Sequence, residues 1–122
     1  MSDEIIRVIV VDDDQLQLEL IERALSRDGF EVHAATTSAV MADHAKVHTP
    51  HMILMDINMP GSTPEETIAI ARASSTTARV ILYSAWEASR LRALAAQLGA
   101  DGFISKSESV ITLGKRLREL QG

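Results

Sequence analysis

The sequence of 122 residues contains no cysteine, three prolines, one tryptophan, one tyrosine and two phenylalanines. The absence of cysteine excludes disulfides, thiolate catalysis and cysteine-ligated zinc. Positive charge is also scarce, with 12 Lys and Arg against 17 Asp and Glu and a formal net charge of -5, which disfavours direct nucleic-acid binding. No apolar run approaches the roughly 18 residues of a membrane helix. The N-terminus lacks the basic run of a signal peptide, so we expect a cytoplasmic chain with no membrane segment.

The length and the composition are those of an ordinary globular domain. A domain usually has roughly 100 to 200 residues. The chain is 46% hydrophobic and 24% charged, which is close to the globular average. We therefore predict a single domain over residues 1–122, with no room for a separate output domain.

Short apolar runs alternate with helical patterns along the whole chain. The apolar runs predict five strands: Ile5–Val11, Phe30–Ala35, Met52–Met55, Arg79–Tyr83 and Phe103–Ser105. Each run is followed by a helical pattern. The second of these helices is capped by Ser38 and ends before Pro50, and the other four cover Leu16–Arg27, Glu65–Ala73, Leu91–Leu98 and Val110–Leu120. Five strand–helix units in succession predict an α/β fold with a parallel sheet, right-handed crossovers and helices on both faces.

Polar residues stand at the ends of four predicted strands. Asp12, Asp13 and Asp14 follow the first strand, and Asp56, Ser84 and Lys106 follow the third, fourth and fifth. Because parallel strands end at the same edge of a sheet, we expect these side chains to converge where ligands bind in such folds. Clustered carboxylates require a shared proton or a divalent cation, and hard oxygen ligands suit Mg²⁺ or Mn²⁺.

This set of residues fits phosphoryl transfer. Phosphate oxygens are common partners of Mg²⁺, a lysine and a hydroxyl can hold the remaining oxygens, and a carboxylate can act as the nucleophile. The sequence has no glycine-rich phosphate-binding loop of the ATP-binding type. We therefore expect the phosphate to come from a donor other than ATP.

The segments VIVVDDD, MILMDINMP, LYSA and GFISK, in this order and spacing, make the chain resemble a response regulator receiver domain of two-component signalling. The resemblance covers essentially the whole chain. It implies the flavodoxin-like fold, a five-stranded doubly wound sheet of strand order 2-1-3-4-5 with five helices. It also implies a phosphoacceptor that is not a multiple-turnover enzyme, served by a sensor histidine kinase or a phosphotransfer protein.

The resemblance assigns a role to each site residue and implies that Asp56 is the phosphoacceptor. It implies that Asp13, Asp56 and the backbone carbonyl of Asn58 bind Mg²⁺ directly, and that Asp12 acts on the ion through water. It also implies that Lys106 binds phosphate and that Ser84 and Phe103 form the switch. Asn58 and Trp86 occupy modulator positions, and the bulk of Trp86 predicts slow loss of the phosphoryl group. A downstream protein would bind the face formed by the fourth helix, fifth strand and fifth helix, and a homodimer that forms on phosphorylation is a further expected partner state.

The sequence leaves two other functions open, and it also contains a histidine spacing that we do not interpret as a metal site. The sequence Asp12-x-Asp14 imitates the opening motif of haloacid dehalogenase-type phosphatases, although no acidic pair follows Lys106. A receiver-like interaction module that works without phosphorylation is a second alternative. His44, His48 and His51 have a spacing that suggests a metal site, but no acid flanks them and Pro50 interrupts the helix, so we interpret them as solvated or partly buried histidines.

Overall fold

A computed structural model describes residues 4–121. The strands are β1 (Arg7–Val11), β2 (Glu31–Ala35), β3 (Met52–Asp56), β4 (Arg79–Ser84) and β5 (Gly102–Ser105). The helices are α1 (Gln15–Arg27), α2 (Ser38–His48), α3 (Pro64–Ser74), α4 (Ala88–Leu98) and α5 (Leu113–Gln121). Residues 1–3 and 122 of the predicted single domain lie outside the described residues. None of the helices in residues 4–121 has the length and apolar character needed to cross a membrane.

All four strand pairs are parallel, and the sheet order is β2-β1-β3-β4-β5. The predicted fold class and strand order are therefore confirmed. One face of the sheet packs against α1 and α5, and the other packs against α2, α3 and α4, so two separate apolar clusters form. All five residues of β3 are buried because this central strand is covered on both faces.

The starts of all five helices differ from the sequence prediction, by one to three residues. Thr37, not Ser38, caps α2, because its hydroxyl accepts a hydrogen bond from the Val40 amide. Thr63 and Glu66 form a reciprocal capping box that begins α3 one residue before Glu65. The last predicted helix begins as a single 3-10 turn over Val110–Thr112, which continues into α5.

The strand order β2-β1-β3 means that the direction in which successive strands are added to the sheet reverses after β2. After β1 the chain moves outward to the edge strand β2 and then returns past β1 to β3. Loops at the carboxyl ends of β1 and β3 consequently leave toward opposite faces of the sheet and open a crevice between them. The acidic segments of the sequence follow these two strands.

Candidate functional site

Three carboxylates meet in the crevice at the carboxyl ends of β1 and β3. One oxygen each from Asp12, Asp13 and Asp56 lies within 4.8 Å of the others. Asp12 and Asp56 are buried, with 2% and 7% of their surface exposed, whereas Asp13 faces solvent. The two buried carboxylates and the exposed one offer oxygen donors of the kind that a hexacoordinate divalent cation prefers.

Lys106 lies between the two buried acids. Its Nζ is 3.1 Å from Oδ2 of Asp12 and 3.5 Å from Oδ2 of Asp56, across 94 and 50 positions of the sequence. The backbone amide of Lys106 donates a hydrogen bond of 2.7 Å to the carbonyl of Ser84, which fixes the start of the loop that follows β5. The ammonium group therefore partly neutralises two acids that would otherwise repel one another.

Burial raises the pKa of Asp56 above its ordinary value of 3.8. The nearby charge of Asp12 acts in the same direction. Two contacts oppose this shift: the Asn58 amide donates a 3.0 Å hydrogen bond to Oδ1, and Lys106 attracts the negative charge. Oδ1 of Asp56 is therefore bonded to the loop that follows β3, and Oδ2 faces the ammonium group of Lys106.

Asp14 has a different role from its two neighbours. Its Oδ1 accepts hydrogen bonds from the Leu16 and Gln17 amides, at 3.0 and 3.3 Å, and so caps the N-terminus of α1. Asp12 also contributes to this turn because its Oδ1 accepts a hydrogen bond from the Asp14 amide at 2.9 Å. The acidic triplet therefore divides into two members of the carboxylate cluster and one helix cap.

Ser84 ends β4 and is buried. It is one residue beyond the pair formed by Asp56 and Tyr83, which places it beside the end of β3. Its Oγ accepts a hydrogen bond of 3.2 Å from the Trp86 amide, and this bond leaves the hydroxyl proton available to another acceptor. The hydroxyl therefore stabilises the loop between β4 and α4 and can still donate a hydrogen bond.

Ser105 is a buried site residue that the sequence interpretation missed. Its hydroxyl donates a 3.0 Å hydrogen bond to the Trp86 carbonyl and lies 2.8 Å from the hydroxyl of Ser107. The Ser107 amide donates to Ser105 Oγ at 3.2 Å, which a proline at this position could not do because it has no N–H. These contacts join the loop after β5 to the loop after β4.

The remaining predicted residues lie around this cluster. Asn58 and Trp86 line one groove together with residues of α3 and α4. Trp86 is partly buried, and the Arg90 guanidinium stacks on its ring at 3.9 Å from the ring centre. Phe103 in β5 is also partly buried, against the apolar cluster on the same side as Trp86. The functional roles of these three residues stay predictions.

Comparison with known protein families gives a match to the response regulator receiver domain over residues 8–118. The transcriptional regulatory protein PrrA of Mycobacterium tuberculosis is 33% identical over 114 residues, which are 93% of this chain and 49% of that protein. Chemotaxis protein CheY of Bacillus subtilis is 33% identical over 101 residues, which are 82% of this chain and 84% of that protein. The chain spans about half the length of relatives such as PrrA.

Solved structures agree with this match. The signal receiver domain of the response regulator NarL from Mycobacterium tuberculosis has a TM-score of 0.80 and 32% sequence identity, and the alignment covers 97% of each chain. Chemotaxis response regulator CheY4 of Vibrio cholerae has a TM-score of 0.83 at 22% identity, covering 96% of this chain and 99% of that one. At that identity the second similarity concerns the fold alone.

Proposed function

Because the chain belongs to the response regulator receiver family, we propose that it is a phosphoacceptor domain that receives a phosphoryl group on Asp56. The observation that supports this proposal is the position of Lys106 between Asp12 and Asp56 in the carboxylate cluster. Asp56 is the only one of the three clustered acids that lies at the end of the central strand. The donor would be a histidine kinase or a phosphotransfer protein in the cytoplasm.

In the proposed reaction the carboxylate of Asp56 attacks the phosphorus atom of a phosphohistidine. A phosphorus–oxygen bond forms, the phosphorus–nitrogen bond breaks, and the leaving imidazole nitrogen takes up a proton from solvent. Lys106 would neutralise negative charge on the transferring oxygens, and the hydroxyl of Ser84 would donate to another of them. The Asn58 amide, bonded to Oδ1, orients the carboxylate so that Oδ2 faces Lys106.

The carboxylate cluster fits Mg²⁺, or Mn²⁺, because it supplies three oxygen donors from Asp12, Asp13 and Asp56 without sulfur or imidazole. Asp13 and Asp56, with the Asn58 carbonyl, would bind the ion directly, and Asp12 would hold it through water. A bound divalent ion would neutralise part of the negative charge of the phosphate. The protein's own part is to hold two acids buried and close together before the ion arrives.

The test is intact-mass measurement after incubation with Mg²⁺ and acetyl phosphate. We expect the wild-type chain to gain the mass of one phosphoryl group and the Asp56→Asn variant to gain none, because an amide is not a nucleophile for phosphorus. Asp14→Asn is the matched control, since Asp14 is a helix cap and should leave labelling intact. Labelling that persists in Asp56→Asn would contradict the proposal, and multiple turnover that depends on Asp12 would contradict it in favour of a phosphatase.

Phosphorylation of Asp56 would change the surface that a partner recognises. The new group adds about two negative charges beside Lys106 and Ser84. Ser84 is bonded to the Trp86 amide, and Trp86 is bonded through its carbonyl to Ser105. Movement of Ser84 toward the phosphate would therefore alter both loops, with Phe103 following, and change the face of α4, β5 and α5. A downstream protein or a second copy of the chain would bind there.

We expect Trp86→Ala to shorten the lifetime of the phosphoryl group several-fold. The indole lines the groove beside Asn58 and is held by Arg90, so it limits the approach of water to the acyl phosphate. The measurement is the decay of the phosphorylated mass after removal of the donor. Trp86→Phe serves as the control because it retains an aromatic ring, and an unchanged decay in Trp86→Ala would remove the basis for this role.

A further inference from the structure

Three of the four histidines form a cluster on the side of the sheet where α2 packs. His33 lies in the middle of β2, and His44 and His48 lie one turn apart on α2. One nitrogen atom from each of the three rings lies within 4.8 Å of the others. The sequence interpretation had grouped His44 and His48 with His51 and had dismissed a metal site, but the structure replaces His51 with His33.

The geometry of the two elements explains why His33 joins the pair. Side chains alternate along a strand, and Val32 and Ala34 pack toward α1 and α5, so His33 points to the other face, where α2 lies. Positions four apart on a helix share one side, which brings His44 and His48 together above β2. Because β2 is the edge strand, all three rings are only partly buried and an ion can reach them from solvent.

Two of the rings have the hydrogen bonds that orient metal-binding histidines. Nε2 of His33 is 2.8 Å from the carboxylate of Glu31, and Nε2 of His44 is 3.1 Å from the carbonyl oxygen of Ala34. Both oxygens can only accept, so Nε2 of each ring carries the proton and Nδ1 retains its lone pair. A histidine that donates from one nitrogen to a carboxylate or carbonyl and offers the other is the usual arrangement at zinc sites.

The third ring, that of His48, stacks on His33 with ring centres 3.6 Å apart and planes 11° apart. Burial lowers the pKa of His48, and the neighbouring histidines act in the same direction. The charged groups nearby are Glu31, which bonds His33, and Arg7, whose Nε donates to the His48 carbonyl at 2.9 Å.

We propose that His33, His44 and His48 bind one Zn²⁺ ion, with Glu31 orienting His33 and a water molecule in the fourth position. Three imidazoles suit zinc, whereas the oxygen cluster at the strand ends suits Mg²⁺. Tetrahedral zinc, with Zn–N of about 2.0–2.1 Å, needs the ligand nitrogens about 3.3 Å apart. One nitrogen from each ring lies within 4.8 Å of the others, so zinc binding requires the stacked rings of His33 and His48 to rotate about their side-chain bonds.

The experiment is a zinc titration of the whole chain in excess Mg²⁺, followed by calorimetry. Excess Mg²⁺ occupies the carboxylate cluster, so the signal reports on the histidines. We expect one equivalent of Zn²⁺ to bind the wild-type chain, and His44→Gln and His48→Gln each to bind at least about tenfold more weakly. The matched control is His51→Asn, which keeps an acceptor for the Arg7 amide and should bind zinc as the wild type does.

Unchanged zinc affinity in both glutamine variants would overturn the proposal, as would the absence of zinc binding by the wild-type chain in excess Mg²⁺. A measurement on the unaltered protein does not depend on how the variants fold. In nuclear magnetic resonance spectra of the ¹⁵N-labelled imidazoles, zinc should shift the signals of His33, His44 and His48 and leave His51 unchanged. A shift confined to His51, or no shift at one equivalent, would also overturn it.

Discussion

Replacing Lys106 with methionine is expected to slow phosphorylation of Asp56 by acetyl phosphate about 100-fold. Within residues 4–121, Lys106 provides the only cationic side chain paired with Asp12 or Asp56. Without it, the transferring phosphoryl group approaches two buried acids with no ammonium group to neutralise its oxygens. The loss of the ammonium group would also favour protonation of Asp56, and the protonated acid is a poor nucleophile. The measurement is the initial rate of labelling at saturating Mg²⁺.

Lys115→Met is the matched control for this prediction. Lys115 lies on the exposed side of α5 and removal of its charge changes the net charge by the same amount. We expect its labelling rate to equal that of the wild type. Lys106→Arg should restore part of the rate, because a guanidinium group carries the charge in a different shape. A rate in Lys106→Met within a factor of two of the wild type would contradict the proposed role of Lys106.

The second large effect concerns stability. In the absence of divalent ions, Asp56→Asn is expected to increase the free energy of unfolding at pH 7 by about 1–2 kcal/mol. The substitution removes a buried negative charge that lies close to Asp12, while Lys106 retains Asp12 as its partner. The asparagine oxygen can still accept the hydrogen bond from the Asn58 amide. Urea unfolding of both proteins in a chelating buffer gives the difference.

The stability difference should depend on pH in a defined direction. Burial raises the pKa of Asp56 in the folded chain above 3.8, so the folded state holds this proton more tightly than the unfolded state. As pH rises above about 4, the unfolded chain ionises first and the wild type loses stability until the pH exceeds the folded pKa. The stability advantage of Asp56→Asn should therefore be larger at pH 7 than at pH 4.

Mg²⁺ provides a second comparison between the same two proteins. An ion that binds only the folded state stabilises it in proportion to the logarithm of its concentration. We expect Mg²⁺ to raise the unfolding temperature of the wild type more than that of Asp56→Asn, which has lost one ligand. Asp43→Asn, on the exposed side of α2, should respond to Mg²⁺ as the wild type does. A destabilised Asp56→Asn protein at pH 7 would contradict the argument.

The location of most site residues could be predicted from the sequence because they directly follow the ends of predicted strands. The apolar runs that end at Val11 and Met55 locate the acids that follow them, and a parallel sheet must bring those acids to one edge. The predicted ends of β1 and β4 differ from the structure by no more than two residues. Helix starts were less accurate, because Thr37 and Ser38 are both good caps and only the backbone geometry selects one.

The residues that the sequence interpretation missed are those whose partners come from another element. Ser105 lies in the GFISK segment, but the resemblance gives it no role, and its importance arises from a bond to the Trp86 carbonyl, 19 positions away. His33 lies in β2 and His44 in α2, so no single helical or strand period relates the two positions. Its place in the histidine cluster depends on the packing of α2 against the edge strand.

The sequence by itself determined the α/β class, the helical and extended segments, and the edge where the acids gather, because hydrophobic period and strand polarity are local properties. Only the tertiary structure decided which side chains touch. It placed the Lys106 ammonium group between two particular carboxylates, bonded the Ser107 amide to Ser105, and put His33 instead of His51 in the histidine cluster. Such contacts join residues of different elements, and the distance between two side chains on different elements depends on how those elements pack. The spacing of the residues along the chain does not determine this distance.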